Sequence, residues 1–220
     1  MWIFGYGSLM WRPGFPYVER SRATVTGYHR AFCVASTHHR GTEARPGLVL
    51  GLDRGQACVG VAYRVAEEHC AETLRYLRVR ELIYGVYREA HVPVLLGDGT
   101  HREVTAVAYI VERAHPSYMG GLKPAQQVSL VRGARGISGT NLDYLINTVR
   151  HLRELAIPEP QLDRLASVAA GYAFHSAPDR LIRPAATAMC KTFARLPSPA
   201  VRQLALSERR RFVHRLGLTR

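Results

Sequence analysis

The sequence predicts an α+β fold. Strand-like patterning dominates from Met1 to about Val111, and amphipathic helical patterning takes over after Pro116. Strands first and helices later is the order of an α+β domain, not of a regularly alternating parallel sheet. With 220 residues the chain can bury a full hydrophobic core, as one domain or one domain with an appendage.

Met1-Trp2-Ile3-Phe4 reads as the first strand. Thr24 to Ala35 is rich in β-branched and aromatic residues, and Leu48 to Leu52 follows the Pro46-Gly47 breaker. Asp53-Arg54-Gly55 reads as a turn into a strand from Cys58 to Val65, where Val59, Val61, Tyr63 and Val65 share one parity. Tyr87 to Leu95 and Val104 to Val111 predict a hairpin across Gly97-Asp98-Gly99. One helix interrupts the strands. From Glu67 to Leu77, Cys70, Leu74 and Leu77 keep helical spacing, and acids crowd the N-terminal half where the helix dipole favours them. Three further helices are expected at Pro124 to Arg135, Asn141 to Leu155 and Pro160 to Ala170, with two arginine-rich ones at 185–196 and 198–216. Gly133, Gly136 and Gly139 punctuate this region; they lack the preceding strand that a dinucleotide site requires.

Composition narrows the class. The chain is 47% hydrophobic and 21% charged, the balance of a globular protein. Its apolar runs break well before about 18 residues, so no membrane span is expected, and the N-terminus lacks the basic-then-apolar pattern of a secretory signal. Cys33, Cys58, Cys70 and Cys190 are scattered, which argues against a zinc site or disulfide framework and for a cytoplasmic, reducing compartment. The net charge is +13, but residues 1–170 carry only +5 of it and residues 171–220 carry +8. The chain therefore divides into a domain over 1–176 and a basic helical extension over 177–220, and no obligate nucleic-acid partner is expected.

Three stretches could carry chemistry. In Gly5-Tyr6-Gly7-Ser8-Leu9, two glycines flank a tyrosine directly after an apolar strand, so backbone N–H groups can converge on a carboxylate or an oxyanion, with the Ser8 hydroxyl beside them. On spacing alone, a tight turn relieved by glycine is the simpler role. Glu81 lies four residues after Leu77 and seven after Leu74, and it shares strand parity with Val79 and Ile83; helix or strand, it points inward. A buried carboxylate near a helix C-terminus should have a raised pKa suited to proton exchange, but on spacing alone an ion pair with Arg78, Arg80 or Arg88 is the simpler role. In His38-His39-Arg40-Gly41-Thr42-Glu43, adjacent histidines suit a single metal poorly, and a loop offering Arg40 to a substrate carboxylate fits better. Neither Ser8 nor Ser36 lies in a nucleophile elbow. Tyr87, Tyr118 and Tyr144 could each offer a hydroxyl while burying a ring.

Together these stretches resemble the ChaC family of glutathione-specific γ-glutamylcyclotransferases. The matching residues are Trp2-Ile3-Phe4-Gly5-Tyr6-Gly7-Ser8-Leu9, Trp11-Arg12-Pro13-Gly14-Phe15, His39-Arg40-Gly41, Gly60-Val61-Ala62-Tyr63, Tyr76-Leu77 with Arg80-Glu81, Pro116-Ser117-Tyr118, and Thr140-Asn141-Leu142-Asp143-Tyr144-Leu145, in that order. The resemblance implies a mixed β-barrel with flanking helices. It implies Glu81 as the catalytic carboxylate, Tyr6, Gly7, Ser8 and Leu9 as the substrate loop, and Tyr87 and Tyr118 beside the γ-glutamyl group. Arg40, or a nearby arginine, would discriminate glutathione from other γ-glutamyl compounds if it meets the glycine carboxylate. Val86 departs from the family's Gly-Gly-Tyr, which bears on where Tyr87 sits.

The implied reaction needs no cofactor and no metal, because the nucleophile belongs to the substrate. The α-amine of a γ-glutamyl compound reaches its own γ-carbonyl and closes 5-oxoproline, and holding the folded conformer can lower the barrier by about 7–11 kcal/mol at best. The expected small-molecule substrate is glutathione. The alternatives are a cyclotransferase for other γ-glutamyl amines or amino acids, and a basic RNA- or membrane-surface-binding protein driven by the extension. The sequence leaves the oligomeric state open.

Overall fold

The computed structural model describes residues 1–100 and 102–171. The basic extension, with its two expected helices and Cys190, lies outside the described residues. Five strands close into a barrel in the order β1-β3-β2-β4-β5: β1 (Trp2–Gly5), β2 (Glu19–Ser36), β3 (Gly47–Arg64), β4 (Tyr87–Leu96) and β5 (Glu103–Val111). All neighbours are antiparallel except β1 and β5, whose parallel pairing of Trp2 with Ala106 and Ile3 with Val107 makes the barrel mixed. Closure removes the sheet edges that would otherwise need protection.

The expected turn at Asp53-Arg54-Gly55 does not form. β3 runs unbroken from Gly47 to Arg64, and it pairs with β2 along almost its whole length. The register shifts between Thr26 and Tyr28, where Gly27 adopts φ 85. That bulge absorbs the irregularity which the glycine and charges suggested, so the strand bends instead of reversing. The other strands and the β4–β5 hairpin form as expected.

The interrupting helix begins as a 3-10 turn over Glu67–His69 and continues as α1 (Cys70–Glu81). It is thus one turn longer than its apolar spacing suggested, and Glu81 is its last residue. Leu77 is fully buried beneath it. Three more helices flank the barrel: α2 (Pro124–Gly133), α3 (Asn141–Glu154) and α4 (Pro160–Ala169). Between α2 and α3, a minimal hairpin joins β6 (Arg135–Gly136) to β7 (Gly139–Thr140).

The start of α3 shows why its residues are what they are. Thr140 caps the helix by accepting from the Asp143 N–H at 3.0 Å. Asn141, fully buried, accepts from the Leu48 N–H at 2.7 Å and donates to the Leu48 carbonyl at 2.6 Å. This amide completes the backbone pairing of β3 and fixes α3 against the barrel. The main core joins Ile3, Phe4, Val25, Tyr63, Leu77 and Tyr109 to the buried faces of α2, α3 and α4, among them Val131, Leu145 and Leu165. A smaller cluster of Cys33, Val34, Val86 and Val111 lies under Tyr87 and Tyr118. Among the described residues no helix is long and apolar enough to cross a membrane.

Candidate active site

β1 ends in the glycine-flanked segment, which becomes a 3-10 turn over Ser8–Met10. The turn is closed by the Met10 N–H donating to Gly7 O at 2.9 Å and the Arg12 N–H to Ser8 O at 2.8 Å. A turn that begins at Ser8 has no internal partner for the N–H groups of Ser8 and Leu9. Leu9 buries its side chain in the core, and its carbonyl accepts from the Tyr63 hydroxyl at 3.1 Å. The donors this turn can offer are therefore the backbone N–H groups of Ser8 and Leu9, and Leu9 anchors the turn in the core.

Arg80 joins this loop to α1. Its guanidinium donates to the Ser8 hydroxyl at 2.8 Å, to the carbonyls of Arg12 and Pro13 at 2.9 and 3.2 Å, and to the Tyr76 hydroxyl at 3.1 Å. It also pairs with the Glu81 carboxylate, Nε to Oε1, at 3.0 Å. The other two arginines weighed for Glu81 are engaged elsewhere, Arg78 with Glu89 at 2.7 Å and Arg88 with Glu112 at 3.9 Å. Gly14 keeps the loop close to Tyr76: at φ 76 it takes a conformation natural to glycine, and a Cβ there would collide with the Tyr76 hydroxyl.

Glu81 sits at the negative end of α1 with 19% of its side chain exposed. Burial pushes its pKa up, the Arg80 charge and hydrogen bond pull it down, and burial wins. An ion pair and a raised pKa thus coexist in one residue, because the pair is itself largely desolvated.

Three phenols share this environment. Tyr6 is pushed well up by burial, then by Glu81, Cys33 and Tyr144, with a hydrogen bond from the Leu52 N–H opposing. Tyr87 is pushed well up by burial, then by Tyr6, Tyr144 and Glu81; its hydroxyl donates to Leu50 O at 2.6 Å. Tyr144 is raised by burial against a hydrogen bond from the Leu50 N–H. β3 backbone at Leu50 and Leu52 thus holds all three hydroxyls, and all three stay protonated at neutral pH. The Val86 departure is absorbed next door. Gly85 takes φ 68, and Val86 packs beside Cys33 and Val111 while its carbonyl accepts from the Glu112 N–H at 2.8 Å.

Arg40 lies over the Tyr144 ring, 5.1 Å from its centroid. It donates to Ser138 O at 2.6 Å and to Thr140 O at 3.3 Å. Burial lowers its pKa, and Tyr144 and Asp143 oppose this. The neighbouring histidines lie in the bend after β2 and not on a strand, so they do not point apart as expected: their rings meet edge-on at 5.2 Å, and His39 bonds Ser138 Oγ at 3.0 Å.

Tyr118 stands in an adjoining cluster. Its hydroxyl donates to Asp53 Oδ2 at 2.7 Å, and Arg113 donates to Asp53 Oδ1 at 2.6 Å. Burial and that bond to Asp53 push the Tyr118 phenol up to about 12. For Asp53, burial pushes upward, but hydrogen bonds from Arg113, Tyr118 and the Arg54 N–H prevail and hold it low. Cys33 joins the two clusters by packing, as part of the small core on which both Tyr87 and Tyr118 rest.

Tyr6, Ser8, Glu81 and Tyr87 therefore come together, Arg40 joins them through Tyr144, and Tyr118 faces Asp53. Sequence reasoning offered Arg80 only as a partner for Glu81; its bonds to the Ser8 hydroxyl and to the carbonyls of Arg12 and Pro13, far away in sequence, are announced by no local pattern.

The chain is similar to known proteins in sequence and in fold. The chain is 37% identical over 184 residues to the glutathione-specific γ-glutamylcyclotransferase of Escherichia coli K12, covering 84% of this chain and 79% of that one. It is 37% identical over 170 residues to glutathione-specific γ-glutamylcyclotransferase 1 of Mus musculus, covering 76% of each. Among solved structures, the yeast γ-glutamyl cyclotransferase specific to glutathione superposes with a TM-score of 0.70 at 24% identity, over 78% of this chain and 96% of that one, which establishes the shared fold. A family profile described as ChaC-like protein spans residues 1–170, and this chain belongs to the ChaC-like family.

Proposed function

We propose that the chain is a γ-glutamylcyclotransferase that cleaves glutathione to 5-oxoproline and Cys-Gly. The observation that carries this reading is the union of one inward carboxylate with a donor loop: Glu81 pairs with Arg80, and the same guanidinium holds Ser8. The names of the relatives support the substrate.

The chemistry follows from these groups. The substrate's α-ammonium gives a proton to ionised Glu81, and the freed amine attacks the γ-carbonyl. A C–N bond forms within the glutamyl unit, and charge collects on the γ-oxygen, where the N–H groups of the Tyr6–Leu9 loop stabilise it. As the carbonyl reforms, the amide bond to cysteine breaks and protonated Glu81 returns its proton to the departing amine; the same carboxylate then carries the second proton from the ring nitrogen to that amine, leaving neutral 5-oxoproline and the ammonium of Cys-Gly. Its raised pKa suits both halves of this exchange. The buried phenols of Tyr6, Tyr87 and Tyr144 shape the walls and offer neutral polar contacts, and Arg40 is assigned to the glycine carboxylate of glutathione. Tyr118 is assigned to the outer rim, acting through Asp53.

The test is to incubate the pure protein with reduced glutathione and quantify 5-oxoproline, with γ-glutamyl amines lacking the Cys-Gly portion in parallel. Turnover of glutathione without added metal, unchanged by chelators, is the expected result. Turnover of the amines alone would overturn the substrate assignment, and activity lost to a chelator and restored by a divalent ion would overturn the mechanism.

A further inference from the structure

Arg30 is an arginine on a barrel strand whose side chain is fully buried. Its Nε donates to the carbonyl of Tyr6, its Nη1 pairs with Glu159 at the start of α4, and its Nη2 donates to Val59 O at 2.6 Å. The Met10 sulfur lies 3.6 Å from Nη2. A buried guanidinium is expensive unless its donors are satisfied and its charge is matched. Here the partners span β1, β3 and α4, and two of them, Tyr6 and Met10, bracket the donor loop.

The Tyr6 carbonyl matters because a peptide unit is rigid. Tyr6 C=O and Gly7 N–H belong to one planar trans unit and point in opposite directions. Gripping the oxygen therefore aims the Gly7 N–H away from Arg30, and a flip of this peptide would have to break a charge-assisted bond. Gly7 makes such restraint necessary, since glycine flips more readily than any other residue.

We propose that Arg30, charge-matched by Glu159, is a positioning residue that locks the Tyr6–Gly7 peptide so that the Gly7 N–H faces the developing oxyanion. This rests on the reading of Tyr6–Leu9 as the substrate cradle. Glu159 bonds Arg30 and acts by keeping the guanidinium oriented.

The experiment compares Glu159→Gln, Glu159→Ala and Arg30→Lys with the unmodified full chain, using kcat and KM for glutathione per folded molecule, thermal stability, and the pH profile. Glu159 retains 23% of its side chain exposed, so water can replace part of what it gives Arg30, and Glu159→Gln, which keeps an acceptor, is the variant expected to fold where Glu159→Ala or Arg30→Lys does not. Glu159→Ala should lower kcat about tenfold, and Arg30→Lys up to about a hundredfold, because misplacing a catalytic donor by about 1 Å has that effect. Glu159→Gln, which keeps an acceptor, should fall between Ala and wild type. KM should stay within about threefold and the acid limb of the profile should not move, since Glu81 is untouched. Lower melting temperatures with unchanged kcat per folded molecule would overturn the proposal, as would a rise in KM alone. Ser8→Pro, compared with Ser8→Ala, separates this from failure of the cradle itself: both lose the hydroxyl that Arg80 holds, and only the proline also deletes the loop N–H at the first position of the turn. If Ser8→Pro lowers kcat below that of Ser8→Ala and the Glu159 series does not lower it, only the role of Arg30 is refuted; if the two Ser8 variants share one kcat, the cradle reading fails.

Discussion

Replacing Glu81 by Gln keeps the size of the side chain and its ability to accept from Arg80, and it removes the group that exchanges protons. The fold should tolerate this. Arg80 retains its bonds to Ser8, Arg12, Pro13 and Tyr76, so one charge-assisted contact of 3.0 Å becomes a neutral one. That exchange costs about 1–2 kcal/mol, and relief of the carboxylate's desolvation offsets part of it. Turnover should fall far more, by about 10²–10⁴-fold, which is about 3–5 kcal/mol of barrier. The raised pKa of Glu81 adds a signature in pH. The folded state holds this proton more tightly than the unfolded chain does, so wild-type stability is greatest below the unfolded pKa and falls as pH rises through the higher folded value. The Gln variant lacks that slope, and the stability gap between the two proteins should narrow as pH rises. The acid limb of kcat/KM should likewise lie above that of an ordinary carboxylate. Thermal melts and 5-oxoproline release on one preparation measure all of this. A folded variant that retains a tenth or more of the rate refutes the assignment.

Arg40→Ala should raise KM for glutathione by about 10- to 100-fold, the worth of one charged hydrogen bond, with a smaller change in kcat. Equal damage toward γ-glutamyl amines that lack the glycine carboxylate would mean that Arg40 only braces Ser138 and Thr140. Asp53 contributes stability above its unfolded pKa, and this is lost as pH falls through its lowered folded value. Tyr118→Phe removes one of the bonds that lower it, and denaturant titrations should show a loss of about 1–3 kcal/mol at neutral pH that shrinks on acidification; a loss independent of pH would contradict this. Deleting residues 178–220 should leave kcat and KM for glutathione within about twofold, since the family match ends at residue 170. A much slower folded truncation would assign the extension a part in the site.

Strand and helix identities were legible because they follow from local periodicity. The alternation in Val59 to Val65, the spacing of Leu74 and Leu77, and the breakers before α2 and α4 each report which face of an element is buried. Glu81 was legible as inward-pointing for the same reason, and the donor loop was legible because glycines after an apolar strand have a short list of uses. The continuity of β3 through Asp53-Arg54-Gly55 was not legible. Whether such residues reverse the chain depends on the partner strand, and here the bulge near Gly27 on β2 carries the strand through. Only the tertiary structure shows that β3 backbone at Leu50 and Leu52 gathers three phenols, that Tyr118 turns to Asp53, and that Arg80 holds both Glu81 and Ser8. Apart from the Arg80–Glu81 pair, these contacts join residues tens of positions apart, and those to β3 run through backbone groups that every residue possesses. A residue's type and spacing tell which way it faces; what it meets there is decided by how the barrel closes.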